Sequence, residues 1–332
     1  VFNALQTMLP IDAILPRLQQ ALTEYPTVLL QAPPGAGKTT RVPLALLDAP
    51  WRNGRKILML EPRRLAARTA AQFMARQLGE QAGQTVGYRT RLDSKVSAAT
   101  QIEVVTEGIL TRLIQQDPML DDYAAVLFDE FHERSLHADL GLVLVRESQQ
   151  ALREDLRVLV MSATLDSAPI ARLLGDVPVI SSEGRAYPVE AIYRPVRELQ
   201  RNLAEAVCGC IRQALQEQSG SLLVFLPGIG EIRRVAERLQ DQLPPDVLLA
   251  PLYGNLQAAE QDSAIAPAPQ GKRKVVLATA IAETSLTIEG VCVVIDSGLQ
   301  RRAVFDPNSG MSRLVTGRLS KASAEQRKGR AG

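Results

Sequence analysis

At 332 residues the chain is about twice the size of one compact domain, so two domains are expected. Hydrophobic residues at 46% and charged residues at 22% exclude a disordered or fibrous chain, and 4% aromatics is thin for an all-β sandwich. The balance of 38 basic against 36 acidic residues leaves +2, so any surface for a polyanion must be local rather than global.

Short apolar runs recur along the chain, separated by longer segments of helical pattern. The first half holds Val28–Leu30, Ile57–Leu60, Val104–Val105, Ala125–Phe128 and Val158–Met161. The second half holds Leu222–Leu226, Val247–Leu249, Val275–Leu277 and Val291–Ile295. Runs that are continuous rather than alternating suit strands buried on both faces, which predicts mostly parallel sheets flanked by helices. The pattern occurs twice, so the expected architecture is α/β with two tandem sheets, residues 1–185 and 186–332. The expected boundary is Ser182–Pro188, where a Gly and a Pro interrupt the pattern. Ala266-Pro267-Ala268-Pro269 reads as a surface loop before a strand.

Three cysteines, Cys208, Cys210 and Cys292, do not suit a disulfide framework and fit a reducing compartment. No run of about eighteen apolar residues predicts a membrane span. The segment VFNALQTMLP lacks the basic start and long apolar core of a secretory signal. These features predict a cytoplasmic protein with no membrane association, and a monomer is expected.

The sequence Ala32-Pro33-Pro34-Gly35-Ala36-Gly37-Lys38-Thr39-Thr40 follows directly on the first apolar run. Glycines let successive backbone N–H groups turn inward around a phosphate, Lys38 reaches the β/γ oxygens, and the Thr39 hydroxyl can ligate Mg²⁺. A helix beginning here would aim its N-terminus at the same anion. The loop therefore predicts ATP or another nucleoside triphosphate, held by Gly35, Ala36, Gly37, Lys38, Thr39 and Thr40. A plain glycine-rich turn is the alternative, and the strand before it with GKT after it weighs against that.

A phosphate loop does not separate kinases, transporters and motors. The next carboxylates do. Ala125–Phe128 runs into Asp129-Glu130-Phe131-His132, so acidic residues stand at the C-terminal end of a buried strand, where α/β sheets bind ligands. Asp129 can hold Mg²⁺ through water, and Glu130 can orient or deprotonate an attacking water. An acidic pair at a strand end can also be only a helix cap, but the loop at Lys38 favours the catalytic reading. The two histidines, His132 and His137, are one position too far apart for an H-E-x-x-H zinc helix. His132 is instead expected to couple the phosphate site to the second domain.

With these residues in hand, the chain resembles the DEAH-box group of superfamily 2 RNA helicases. Asp129-Glu130-Phe131-His132-Glu133-Arg134-Ser135 looks like motif II, and Glu61-Pro62-Arg63-Arg64-Leu65-Ala66-Ala67 like motif Ia. Thr106-Glu107-Gly108 resembles motif Ib, Ser162-Ala163-Thr164 motif III, and Phe225-Leu226-Pro227-Gly228 motif IV. Ala278–Ile288 resembles motif V and Gln326–Gly332 motif VI. The wording around Glu61–Arg68 and Asp129–Leu136 is closest to the bacterial HrpB-type subgroup.

The resemblance implies two RecA-like domains with ATP between them and single-stranded RNA across both. It implies hydrolysis with little base selectivity and 3′-to-5′ movement. It assigns Gln326 and Arg330 to catalysis with Glu130, and Ser162 and Thr164 to coupling with His132. It lays RNA along Arg63, Arg64, Thr106 and Thr279. Guanidinium groups at a helix start suit a phosphate backbone, although a solvated helix face would look the same.

Departures from the family pattern are expected to matter. Ala280 stands where the family usually has Asn. The family's adenine clamp falls, by rough alignment, on Phe73 and Ile265. Motif VI ends at Gly332 without its usual further Arg, so the chain reads as a fragment, with Val1–Thr7 as an extension before Met8 and with Arg330 expected to fray. The competing readings are a nucleotide-switched RNA clamp that does not unwind and a small-molecule kinase. The kinase is disfavoured because the second sheet brings no phosphoacceptor lid.

Overall fold

A computed structural model describes residues 8–163, 168–183, 188–240, 242–283 and 288–331. The chain divides into two compact units, residues 1–185 and 186–332.

In the first unit α1 (Leu15–Glu24) leads into β1 (Thr27–Gln31), followed by α2 (Lys38–Ala45), β2 (Lys56–Glu61) and α3 (Arg64–Gln77). Then come β3 (Val86–Arg89), β4 (Ser94–Lys95), β5 (Ile102–Thr106), α4 (Glu107–Gln116), β6 (Tyr123–Phe128) and α5 (Leu136–Ala151). β7 (Arg157–Ser162), α6 (Ala168–Leu173) and β8 (Val179–Ser181) complete it. The strands form an eight-stranded sheet in the order β4-β3-β5-β2-β6-β7-β1-β8, parallel except for the β3–β4 pair.

Alternate residues along each central strand supply two cores. Val28, Leu30, Ile57, Met59, Val104, Leu127 and Leu159 face one layer with α1, α2 and α3. Leu29, Leu58, Leu60, Val105, Val126, Phe128, Val158 and Val160 face the other with α4 and α5. Both faces are apolar, which is why the sequence shows unbroken runs. α3 illustrates the helical side of the bargain: Leu65, Ala66, Ala67, Ala70, Ala71, Met74 and Ala75 are buried, and their small side chains admit a close approach to the sheet. Arg64 and Phe73 remain exposed on either side of this buried stripe.

The second unit contains α7 (Leu199–Glu217), β9 (Ser221–Phe225), α8 (Ile229–Leu239), β10 (Val247–Leu252), α9 (Ala258–Ile265), β11 (Arg273–Ala278) and β12 (Val291–Asp296). β13 (Leu299–Asp306), β14 (Met311–Arg318) and α10 (Lys321–Lys328) follow. Its sheet is fully parallel in the order β10-β11-β9-β12. β13 and β14 form a separate antiparallel ribbon. Leu203, Val207, Ile211, Leu222, Val224, Ile232, Val235, Val275 and Leu277 form the core.

Candidate active site

Every central strand of the first unit ends at one edge of the sheet, and the chemistry-bearing residues leave from that edge. After β1 the chain turns through Gly35 and Gly37, both with positive φ, at 78° and 94°. Gly37 is needed twice over: a Cβ there would adopt the left-handed region and would meet Leu9 Cδ1 at 2.6 Å. Ala36 is buried, its carbonyl accepts from the Ile11 amide at 3.1 Å, and the Ala32 amide donates to Ser162 at 3.0 Å. The loop is therefore pinned from both sides before α2 begins at Lys38, with Gly37 as its cap and Thr39 and Thr40 in its first turn.

β6 delivers the carboxylates. The Asp129 amide donates to the Leu60 carbonyl at 3.0 Å, prolonging the strand pairing by one residue. Glu130 then takes φ 49°, ψ 33°, a left-handed conformation that costs a non-glycine residue roughly 1–2 kcal/mol. That turn places Phe131 in the core, edge-on to Phe128 at 6.2 Å, and directs the Glu130 side chain back to the loop. The Glu130 amide donates to Asp129 Oδ1 at 2.8 Å.

The structure brings Lys38, Thr39, Asp129 and Glu130 together. Lys38 Nζ donates to Glu130 Oε1 at 2.6 Å and lies 3.9 Å from Asp129 Oδ1. Thr39 Oγ1 donates to Asp129 Oδ2 at 2.5 Å. All are buried or nearly so. Burial alone would lower the Lys38 ammonium, but the charges of Glu130 and Asp129 outweigh it and hold it above the ordinary lysine range. Burial pushes the Asp129 carboxyl up, with Glu130 adding to the effect and Lys38 opposing it.

His132 closes the site on another side. Its Nδ1 accepts from the Ala163 amide at 3.2 Å, so the ring proton sits on Nε2, which lies 3.3 Å from Glu130 Oε2. Burial lowers its pKa, against the pull of Glu130, so the ring is neutral at pH 7. His132 thus links Glu130 to the residue after Ser162, which ends β7 fully buried. Thr164 lies outside the described residues.

The RNA candidates sit at neighbouring strand ends. Arg63 caps α3 and Arg64 opens it, while Thr106 ends β5 and caps α4. Arg63 Nη2 donates to Glu133 Oε2 at 3.0 Å. Ser135 caps α5 by accepting from the Ala138 amide at 2.9 Å and donates to Glu107 Oε1 at 2.6 Å. Glu133 and Ser135 therefore join the segment after Glu130 to the starts of α3 and α4.

In the second unit Thr279 follows β11 and caps the short 3-10 turn Ala280–Ala282. Gln326 and Arg330 flank the larger surprise, Arg327. Its side chain is 1% exposed and stacks over Phe225 at 4.8 Å. It donates to Glu283 Oε2 at 3.0 Å and Asp296 Oδ1 at 2.8 Å. Arg330 Nε donates to the Glu283 carbonyl at 2.9 Å. The expectation that Arg330 frays is thus corrected: Glu283 holds both arginines within the unit.

Sequence reasoning also passed over Glu61. It ends β2 at 0% exposure, and neither carboxylate oxygen meets a protein donor among the described residues. The group within hydrogen-bond reach is another carboxylate, Asp129. Burial first, then the charges of Asp129 and Glu130, push Glu61 well above the ordinary carboxylate range. An unmade hydrogen bond at a buried polar group costs about 1–3 kcal/mol, and more at a charge.

The donor set fits a hydrated magnesium ion. It offers a threonine hydroxyl, carboxylates one step away, and the orphaned oxygens of Glu61. Among the described residues no group of three or more His, Cys, Asp or Glu could hold a metal directly. Mg²⁺ keeps several of its waters and takes phosphate oxygens, which fits a threonine hydroxyl with carboxylates that would reach the ion through water.

Comparison with known proteins decides the family. The DEAD/DEAH box helicase model matches residues 15–173, and the helicase conserved C-terminal domain matches residues 202–332. The chain belongs to the DEAD/DEAH box helicases. Over 98% of its length it is 56% identical to the ATP-dependent RNA helicase HrpB of Escherichia coli K12, and it covers 40% of that protein. It is 36% identical to the ATP-dependent RNA helicase HrpA homolog of Haemophilus influenzae, again over 98% of its length, and covers 25% of it. The crystal structure of the E. coli DEAH/RHA helicase HrpB superposes with a TM-score of 0.92 at 55% identity, covering 98% of this chain and 41% of that one. A second structure, of the E. coli DExH-box NTPase HrpB, gives a TM-score of 0.84 at 54% identity, covering 99% of this chain and 41% of that one. The two mostly parallel sheets of this chain thus belong to RecA-like P-loop folds, and the chain spans about two-fifths of the length of its HrpB relative.

The tautomer of His132 is directly testable. With His137→Gln leaving a single imidazole, nitrogen-15 NMR is expected to find a neutral ring protonated on Nε2, titrating below the ordinary histidine range. A charged ring at pH 7 contradicts the site geometry.

Proposed function

We propose that the chain is the motor region of an ATP-dependent RNA helicase, which binds a nucleoside triphosphate with Mg²⁺ and hydrolyses it to move on RNA. The observation that carries this reading is the buried contact of Lys38 with Glu130 beside Thr39 and Asp129. The same lysine that would receive the β/γ-phosphates neutralises the carboxylate that would activate water.

The roles follow from that contact. Backbone amides of Gly35–Thr39 and the start of α2 bind phosphate oxygens. Magnesium supplies charge neutralisation on the phosphates, with Thr39 and, through water, Asp129 to hold it. Lys38 moves from Glu130 to the phosphates, which leaves Glu130 as an unneutralised base for the attacking water. His132 keeps the Glu130 carboxylate oriented through its Nε2 proton. Gln326 and Arg330 are assigned to hydrolysis on the strength of motif VI. The Glu283 carbonyl anchors Arg330, which supports a rigid presentation of that side chain.

RNA is proposed to run along Arg63, Arg64, Thr106 and Thr279, with 3′-to-5′ polarity carried over from the family. Arg63 is already paired with Glu133, so phosphate binding there would disturb the segment leading back to Glu130. This gives RNA a route to stimulate hydrolysis. The protein is proposed to act in the cytoplasm.

An ATPase assay with and without single-stranded RNA tests the proposal: a motor is stimulated, a clamp stays slow, and a small-molecule kinase is indifferent. Glu130→Gln keeps shape and removes charge, so nucleotide still binds while turnover falls by about 10²–10⁴-fold. Unchanged turnover contradicts the assignment. For RNA, the log–log salt slope is about −0.7 per phosphate on single strands, so Arg63→Ala with Arg64→Ala flattens it by about 1.4. An unchanged slope moves the RNA path elsewhere.

A further inference from the structure

Glu61 occupies a position where packing alone would place an aliphatic side chain. It ends a strand whose other residues, Ile57–Leu60, are all buried and apolar. Leu60 pairs with Phe128, and the Asp129 amide donates to Leu60, so Glu61 and Asp129 leave neighbouring strands side by side. The Glu61 side chain is fully buried, neither oxygen meets a protein donor among the described residues, and its charge couples to Asp129, Glu130 and Lys38. Two adjacent buried carboxyl groups need either one shared proton or a donor that reaches both. A hydrated dication supplies this, because each bound water carries two O–H donors and the ion offsets the charge.

We propose that Glu61 accepts a hydrogen bond from a water of the Mg²⁺ shell and so positions the metal together with Asp129. The inference rests on reading Lys38, Thr39 and Asp129 as the Mg²⁺–nucleotide site. It adds to that site a carboxylate from a different strand, two residues ahead of Arg63. Glu61 touches neither phosphate nor RNA. It acts through the ion's water.

The test is a Mg²⁺ titration of fluorescent-ADP binding to the full chain, with Glu61→Ala, Glu61→Gln and, as a control, Lys38→Ala. No turnover is involved. Residues that orient metal ligands typically contribute 10–100-fold in metal affinity, so Glu61→Ala is expected to raise the Mg²⁺ midpoint by about that factor. Glu61→Gln, whose amide oxygen still accepts, raises it less. Binding of the fluorescent ADP in EDTA is not weakened, because neither variant removes a phosphate donor and each removes negative charge beside Lys38.

An unchanged Mg²⁺ midpoint in both variants overturns the inference, as when Glu61 only shares a proton with Asp129. An equal loss of binding in EDTA and in Mg²⁺ also overturns it, in favour of a structural role. If wild type and Lys38→Ala bind the fluorescent ADP alike at every Mg²⁺ concentration, the reading of the site itself fails.

Discussion

A buried ammonium held among buried carboxyl groups governs this molecule. Lys38 lies 2.6 Å from Glu130 and 3.9 Å from Asp129, and Glu61 adds a third acidic group from the next strand. Buried ion pairs recover their desolvation only when each charge is well partnered, and here one lysine serves several acids while Glu61 meets no protein donor among the described residues. The arrangement is electrostatically incomplete. On the proposed function, a magnesium ion would bring further positive charge and the phosphates would give Lys38 a new partner. Binding energy and catalytic readiness would then share one source, the exchange of partners at Lys38.

The fold makes this exchange possible by bringing β1, β2 and β6 to the same edge of one parallel sheet. Two local conformations finish the job. Gly37 lets the phosphate loop turn tightly under Leu9, and the left-handed Glu130 swings its carboxylate toward Lys38 while burying Phe131. Strain at Glu130 is tolerated because Phe131 packs on Phe128 and His132 is fixed by Ala163. The same short segment reaches α3 through the Glu133–Arg63 pair and α4 through the Ser135–Glu107 bond. Only a few contacts therefore separate Lys38 from Arg63, the residue proposed to meet an RNA phosphate.

Much of this was legible in the residues. The continuous apolar runs correspond to β1, β2, β5, β6, β7, β9, β10, β11 and β12; most of these are buried on both faces, while β10 and β12 stay partly exposed and show only that an apolar run marks a strand. β3, β4 and β8 escaped: they have four, two and three residues, and Gly87 interrupts the first. β13 and β14 escaped for the opposite reason, since an exposed antiparallel ribbon carrying Arg301, Arg302, Arg313 and Arg318 shows no apolar run. At the site, local spelling exposed Lys38, Thr39, Asp129 and Glu130. Glu61, Glu133 and Arg327 stayed hidden, because their significance lies in partners far away in sequence. An acidic residue beside two arginines reads as surface, and only burial reveals Glu61 as an orphan among acids. Arg327 likewise reads as one more basic residue of motif VI until Phe225, Glu283 and Asp296 surround it.

The central claim is that nucleotide takes Lys38 from Glu130. A high-resolution structure of the chain with Mg²⁺ and a non-hydrolysable ATP analogue measures this directly. The account predicts that the 2.6 Å contact between Lys38 Nζ and Glu130 Oε1 opens, that Lys38 moves onto the β/γ-phosphates, and that Glu130 faces water. A bound analogue with Lys38 still paired to Glu130 would contradict it.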